Sequence, residues 1–160
     1  MAENRQYIQL MIEDLEKKSV ILDQIIDANR RLEQVIQEAE MDLDAFGRIA
    51  EEKSAYVDKM NVLDVGFQSL FDRVKEALHA NKETYKQEIA TMQKLIREVT
   101  DKSVLVQNTE QKQKLIIDGQ FAKMRQKVQQ SKKNMGVASH YYKSMSGTAG
   151  ADVSLMDIKH

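Results

Sequence analysis

The chain has 160 residues and a formal net charge of −1, and 42% of its residues are hydrophobic. It contains no proline, cysteine or tryptophan, which excludes disulfides and cysteine-rich zinc sites and favours an all-helical domain. The sequence has no run of 18 apolar residues, and its start lacks the apolar core of a signal peptide. It therefore predicts a single cytoplasmic domain without membrane insertion.

A first helix is predicted over residues 3–39. Its apolar side chains recur in alternating steps of three and four residues, the period of one helix face. They are Ile8, Met11, Leu15, Leu22, Ile25, Leu32, Ile36 and Ala39. After a turn near Glu40, Asp42 is placed to cap the next helix, and Met41 and Phe46 have the spacing of a hydrophobic staple across that cap.

A second helix is predicted over residues 42–80. Its apolar positions are Phe46, Ile49, Tyr56, Met60, Leu63, Phe67, Leu70, Val74 and Ala77. Asn81 can end this helix in a left-handed conformation. Thr84 and Gln87 have the spacing of a capping box, which would start the next helix. A break at residues 61–66 is the competing position for this turn.

The third predicted helix, residues 84–135, is the element around which the chain is organised. Its apolar positions are Ile89, Met92, Ile96, Val99, Val106, Ile117, Phe121, Met124 and Val128. A helix of this length spans about 75 Å, so it needs long partner helices to cover its apolar face. The predicted fold is an all-α, coiled-coil-like bundle of three helices, each antiparallel to the next.

Counting residues inward from the Asn81 turn gives a register for the three helices. The polar residues 107–114 on the third helix then lie level with residues 51–53 on the second and residues 29–31 on the first. Three polar stretches at one height predict a shared polar layer that divides the apolar seam into two halves.

The same count leaves the third helix roughly a dozen residues, or about 18 Å, longer than its partners. This overhang carries Met124, Val128 and Met135, and we expect it to lack cover from the rest of the chain. Residues 136–160 are rich in glycine and serine but keep apolar side chains, including Tyr141 and Tyr142. They are predicted to form a flexible tail that orders when a partner binds.

No catalytic or metal-binding pattern is convincing. Glu76 and His79 have the spacing of a di-metal ligand pair, but a second such motif is missing from the sequence. Asp42, Asp44 and Gly47 resemble the start of a calcium loop, yet a lysine stands at its twelfth position, where a glutamate is required. The sequence therefore predicts a protein that is not an enzyme and binds neither a metal nor a cofactor.

Charge is distributed unevenly along the chain. Six basic residues and no acidic ones lie between Gly119 and Ala151: Lys123, Arg125, Lys127, Lys132, Lys133 and Lys143. A solvated helix face and attraction to an acidic protein partner are both open interpretations. A nucleic-acid partner is not predicted, because only two tyrosines could stack on bases and the chain as a whole is slightly acidic.

Two segments carry a resemblance to a known family. Residues 42–53 read Asp-Leu-Asp-Ala-Phe-Gly-Arg-Ile-Ala-Glu-Glu-Lys, and the chain closes with Leu155-Met156-Asp157-Ile158-Lys159. Together with a long third helix, they resemble the flagellar export chaperones of the FlgN type. The resemblance implies binding of hook-associated proteins through the C-terminal part and their delivery to components of the flagellar type III export apparatus.

A methionine-rich face at the C-terminal end supports partner binding, because methionine adapts to varied apolar surfaces. The predicted partner-binding residues are Phe121, Met124, Val128, Met135, Tyr141, Tyr142 and Met145. The alternative function is a coiled-coil scaffold in which the same overhang drives self-assembly into a homo-oligomer.

Overall fold

The computed structural model describes residues 2–134, and these form three long helices. Helix α1 spans Ala2–Ile36, α2 spans Leu43–Ala80 and α3 spans Lys86–Asn134. The prediction of an all-α helical bundle is confirmed. The second connection lies at residues 81–85, whereas α2 continues unbroken through the competing position at residues 61–66. The predicted tail, residues 136–160, lies outside the described residues.

The connection between α1 and α2 is closed by the predicted cap. The Asp42 carboxylate accepts hydrogen bonds from the backbone N–H groups of Asp44, at 3.0 Å, and Ala45, at 3.2 Å. These are two of the donors that a helix start leaves without an intrahelical acceptor. Met41 and Phe46, on either side of the cap, are buried in the same apolar cluster, as the staple spacing predicted.

The connection between α2 and α3 differs from the prediction. The described part of the chain has no non-glycine residue with positive φ, so the expected left-handed conformation of Asn81 is wrong. The Asn81 side-chain amide donates instead to the Ala77 carbonyl at 3.0 Å, and the Tyr85 N–H donates to the Asn81 carbonyl at 3.2 Å. Helix-like hydrogen bonds through the turn make a left-handed residue unnecessary.

Contacts divide the described chain into two compact units, each containing a segment of all three helices. Unit 1 comprises residues 2–27 and 55–107, and unit 2 comprises residues 28–54 and 108–134. The sequence predicted one bundle over residues 1–135 without this division.

In unit 1, α1 and α3 run parallel and α2 runs against them. The α1–α3 register is set by an ion pair of Lys102 with Asp23, at 2.9 Å, and by the Ser19 hydroxyl donating to Glu98 at 3.1 Å. The apolar core of the unit is Ile8, Met11, Ile12, Leu15, Val74, Leu78, Tyr85 and Met92. Tyr85, which the sequence treated only as part of a cap, is fully buried in this core.

Helix α2 contributes little to the core of unit 1. No residue from 55 to 73 is buried, and the predicted core positions there are only half-buried: Tyr56, Met60, Leu63, Phe67 and Leu70. On α3, the predicted core residue Ile96 is 45% exposed. The prediction of a continuous buried seam is therefore wrong over this segment, because open grooves flank α2 here.

Unit 2 is packed more completely. Its core contains Ala28, Leu32, Ile36, Met41, Phe46, Ile49, Ile117 and Phe121. The rings of Phe46 and Phe121 meet edge to face with centroids 5.7 Å apart, a favoured aromatic geometry. All three helices and the first connection thus contribute buried side chains to one cluster.

Candidate partner-binding site

The predicted polar layer is present in unit 2. The Lys53 ammonium lies 2.8 Å from the Glu110 carboxylate, and both side chains are buried. The Gln113 amide donates to the Asn29 carbonyl at 2.8 Å and to the Glu33 carboxylate at 3.1 Å. The layer therefore joins α2 to α3 and α3 to α1, and the prediction from the residue count is confirmed.

This layer determines which residues of the three helices can face one another. A buried ion pair adds little net stability, but removing one partner is strongly destabilising because a buried charge is left behind. A shift of α2 against α3 by one helical turn would separate Lys53 from Glu110. The layer therefore acts on register more than on total stability, as buried polar groups do in coiled coils.

Beyond the polar layer, side chains of α3 cap the end of α1. The Gln120 amide donates to the carbonyls of Ile36, at 2.8 Å, and Glu38, at 2.7 Å, and the Lys123 ammonium donates to the carbonyl of Ala39. The last carbonyls of a helix lack intrahelical donors and carry the negative end of its dipole. Donors from α3, one of them cationic, therefore hold the first connection against α3.

Lys127 completes this set of contacts with an exposed ion pair to Glu40 at 2.8 Å. The hydrogen bond from Lys127, together with the lysine charge, lowers the pKa of Glu40 below its ordinary value. The sequence left two interpretations open for Lys123 and Lys127, a solvated helix face or attraction to an acidic protein partner. Lys123 and Lys127 follow Gln120 by three and seven residues, so all three lie on one face of α3. This spacing is the sequence signal from which their shared role could have been predicted.

The predicted binding residues that the structure describes are more buried than the sequence predicted. Phe121 is 2% exposed and Val128 is 3% exposed, whereas Met124 is half-buried. The expectation that this part of α3 lacks cover is therefore wrong, because Phe121 lies in the core of unit 2 and residues 38–40 contact Gln120, Lys123 and Lys127 of α3. Met135, Tyr141, Tyr142 and Met145 lie outside the described residues.

A groove of about 360 Å³ remains between the first connection and the end of α3, and we call it the terminal groove. It is lined by Ala39, Glu40, Met41, Leu43, Gln120, Lys123, Met124, Lys127, Val128 and Ser131. Apolar side chains of Met41, Leu43 and Met124 lie within it, and charged side chains of both signs stand beside them. Such a lining suits an amphipathic segment of a protein better than a small polar substrate.

Residues 2–134 contain neither a candidate metal site nor a candidate membrane span. These residues contain no group of three or more histidine, aspartate or glutamate side chains that could hold a metal ion. His79 and Glu76, weighed as a ligand pair, are both exposed on α2. None of the described helices is long and apolar enough to span a membrane.

Comparisons with known proteins give no match. No protein-family model, curated protein or solved structure matches this chain. The geometry of the described residues and the sequence resemblance are therefore the grounds for a functional proposal.

Proposed function

We propose that this protein is a cytoplasmic flagellar export chaperone of the FlgN type, without enzymatic activity. It binds hook-associated proteins before secretion and presents them to components of the type III export apparatus. Its client site is the terminal groove together with the chain that follows it, including Tyr141, Tyr142 and Met145. Phe121 supports this site from the core, and Val128, although almost fully buried, lines the groove itself.

The observation that carries this proposal is the position and lining of the terminal groove. Met124 is half-buried and supplies a flexible thioether side chain to the groove, and the buried Met41 forms part of the wall behind it. The groove includes Ser131, only four residues before Met135, the first of the predicted binding residues that follow the described chain. A client helix seated there could therefore contact the groove and the following residues at once.

The residues that carry the family resemblance have structural roles in unit 2. Asp42 caps α2, Phe46 lies in the core, and Lys53 forms the buried ion pair. Their pattern therefore supports a shared architecture for this end of the bundle. The terminal groove and the C-terminal residues would then determine which client protein is bound.

The test uses the purified full chain and a purified hook-associated protein in a direct binding assay. Met124→Glu places a charge in the groove and should weaken client binding about ten-fold or more, since buried anchors commonly contribute over 1 kcal/mol. A chain ending at Asn134 should lose most of the affinity. This end point keeps Phe121 and Val128, so the core of unit 2 is retained.

Leu115→Glu is the matched control, because Leu115 lies on α3 in unit 2, is 76% exposed and does not line the groove. Its client affinity should equal that of the unchanged chain. Equal loss in Met124→Glu and Leu115→Glu would contradict the site assignment. Absence of binding by the full chain would contradict the chaperone function.

The alternative function is a self-assembling scaffold, and the exposed apolar pair Leu115 and Ile116 favours it. A scaffold would bury this pair against a second copy, so Leu115→Glu would abolish a concentration-dependent oligomer seen by analytical ultracentrifugation. A monomer at all concentrations that still binds a hook-associated protein would exclude this alternative.

A further inference from the structure

A second and larger groove lies in unit 1, between α2 and α3 near their connection, and we call it the turn groove. Its volume is about 910 Å³. Phe67 and Phe71 of α2 and Met92 and Ile96 of α3 supply much of its apolar lining. Phe71 is 38% exposed and Ile96 is 45% exposed, so two large apolar side chains stand partly in water along one surface.

The end of the turn groove nearest the connection is basic. Lys82 and Lys86 line it together with a single acidic residue, Glu83, and His79. Within residues 2–134 neither lysine has an ion-pair partner, in contrast to Lys127 of the terminal groove, which pairs with Glu40. Lys86 also opens α3, where the helix dipole is already positive. An acidic group would relieve this concentration of positive charge.

The dimensions suit a short helix. From Phe67 to His79 the groove follows thirteen residues of α2, a rise of about 18 Å or roughly three helical turns. Apolar side chains at positions i, i+4 and i+7 of a partner helix would reach the apolar lining. A largely apolar surface with positive charge at one end calls for an amphipathic helix with negative charge at the corresponding end.

We propose that the turn groove binds an amphipathic helix of a partner protein, with acidic residues at the end that faces the α2–α3 connection. This surface belongs to unit 1, whereas the terminal groove belongs to unit 2. It therefore gives the protein a second binding surface, whose existence does not depend on the proposed chaperone function.

The test measures fluorescence anisotropy of a labelled synthetic helical peptide of 14 residues on addition of the full chain. The probe carries leucine at i, i+4, i+7 and i+11 and three glutamates at one end. Two control peptides have the same leucines with lysines in place of the glutamates, or the same composition in shuffled order. The acidic probe should bind about ten-fold more tightly than either control, and its affinity should fall with added salt.

Variants then locate the site. The double variant Phe71→Ala/Ile96→Ala should weaken probe binding about ten-fold. Lys82→Gln/Lys86→Gln should weaken it less and should flatten its salt dependence. Val104→Ala/Leu105→Ala is the matched control, because these exposed residues of α3 belong to unit 1 but do not line the groove. Its affinity should be unchanged.

Several results would overturn the inference. Failure of the acidic probe to bind, or equal binding by Phe71→Ala/Ile96→Ala and the control variant, would exclude this groove as a helix site. Tighter probe binding by a chain ending at Asn134 would instead assign the groove to the protein's own C-terminal residues. An oligomer that Phe71→Ala/Ile96→Ala dissociates would assign it to a second copy.

Discussion

The two units use the same three helices but bury them to different degrees. In unit 2, α2 contributes Phe46, Ile49, Ala50 and Lys53 to the buried set within eleven residues of its start. In unit 1, α2 contributes only Val74 and Leu78, and residues 55–73 contribute none. The difference shows that one helix can serve as a core element in one unit and as a border of open grooves in the other.

Polar contacts follow the same division. In unit 2 the buried Lys53–Glu110 pair joins α2 to α3. In unit 1 two polar contacts between α1 and α2 are exposed: Lys18 pairs with Asp64 at 2.7 Å, and Arg73 donates to the Tyr7 hydroxyl at 3.2 Å. Exposed pairs contribute about 0–1 kcal/mol each. Residues 55–73 should therefore exchange their amide hydrogens faster than the α2 residues of unit 2.

The largest expected effect is that of Phe121→Ala. Removing this ring from the unit 2 core should lower the free energy of unfolding by about 3–5 kcal/mol, because it leaves a cavity against Phe46. Phe71→Ala in unit 1 should cost less, about 1–2 kcal/mol, since Phe71 is already 38% exposed. Urea denaturation measures both. Equal losses would contradict the contrast between the units.

Lys53→Met should lower the free energy of unfolding by about 3 kcal/mol, because the Glu110 carboxylate loses its buried cation. The double variant Lys53→Met/Glu110→Met removes both charges and should recover most of that stability. Hydrogen exchange resolved by peptide should locate the loss in unit 2. A double variant as unstable as the single one would show that the pair itself stabilises the fold.

Gly66→Ala should stabilise unit 1 by about 0.5–1 kcal/mol, since glycine is costly inside a helix. A methyl group at this position would stand 3.7 Å from the Asp14 carboxylate, an ordinary contact. Gly119→Ala in unit 2, where the added methyl meets nothing within 4 Å, is the matched control. Peptide-resolved hydrogen exchange should place the first gain in unit 1 and the second in unit 2.

The smallest effect concerns the pH dependence of unit 1. Partial burial raises the pKa of Asp14 above its ordinary 3.8, with Glu13 adding to the rise and Lys17 opposing it. Between 3.8 and the raised pKa the folded chain binds more protons than the unfolded one, so the stability contributed by Asp14 falls as pH rises through this range. Asp14→Asn should therefore be slightly more stable than the unchanged chain at pH 7.

The two forms should converge in stability below pH 3.8, where Asp14 is protonated in both the folded and the unfolded chain. Thermal unfolding at a series of pH values measures the difference. A stability gap that is constant across pH would show that the substitution acts through packing and not through the carboxyl proton.

The sequence by itself determined the helices, the Asp42 cap and the height of the polar layer. Helical periodicity and capping are local properties of the sequence. Because every helical residue adds the same rise, the position of one turn determines which residues of neighbouring helices lie level, even tens of residues away. Counting from one turn therefore brought residues 51–53 and 107–114 to one level, where Lys53 and Glu110 pair.

Only the tertiary structure decided which apolar stripes are covered. The sequence predicted Phe121 and Val128 as exposed binding residues because it predicted a first helix that continues to residue 39. In the structure α1 ends at Ile36, and residues 38–40 lie against Gln120, Lys123 and Lys127 of α3. The sequence likewise placed residues 56–70 of α2 in the core. Periodicity identifies an apolar face, but burial depends on how closely another helix approaches it, and that distance is a property of the packed chain.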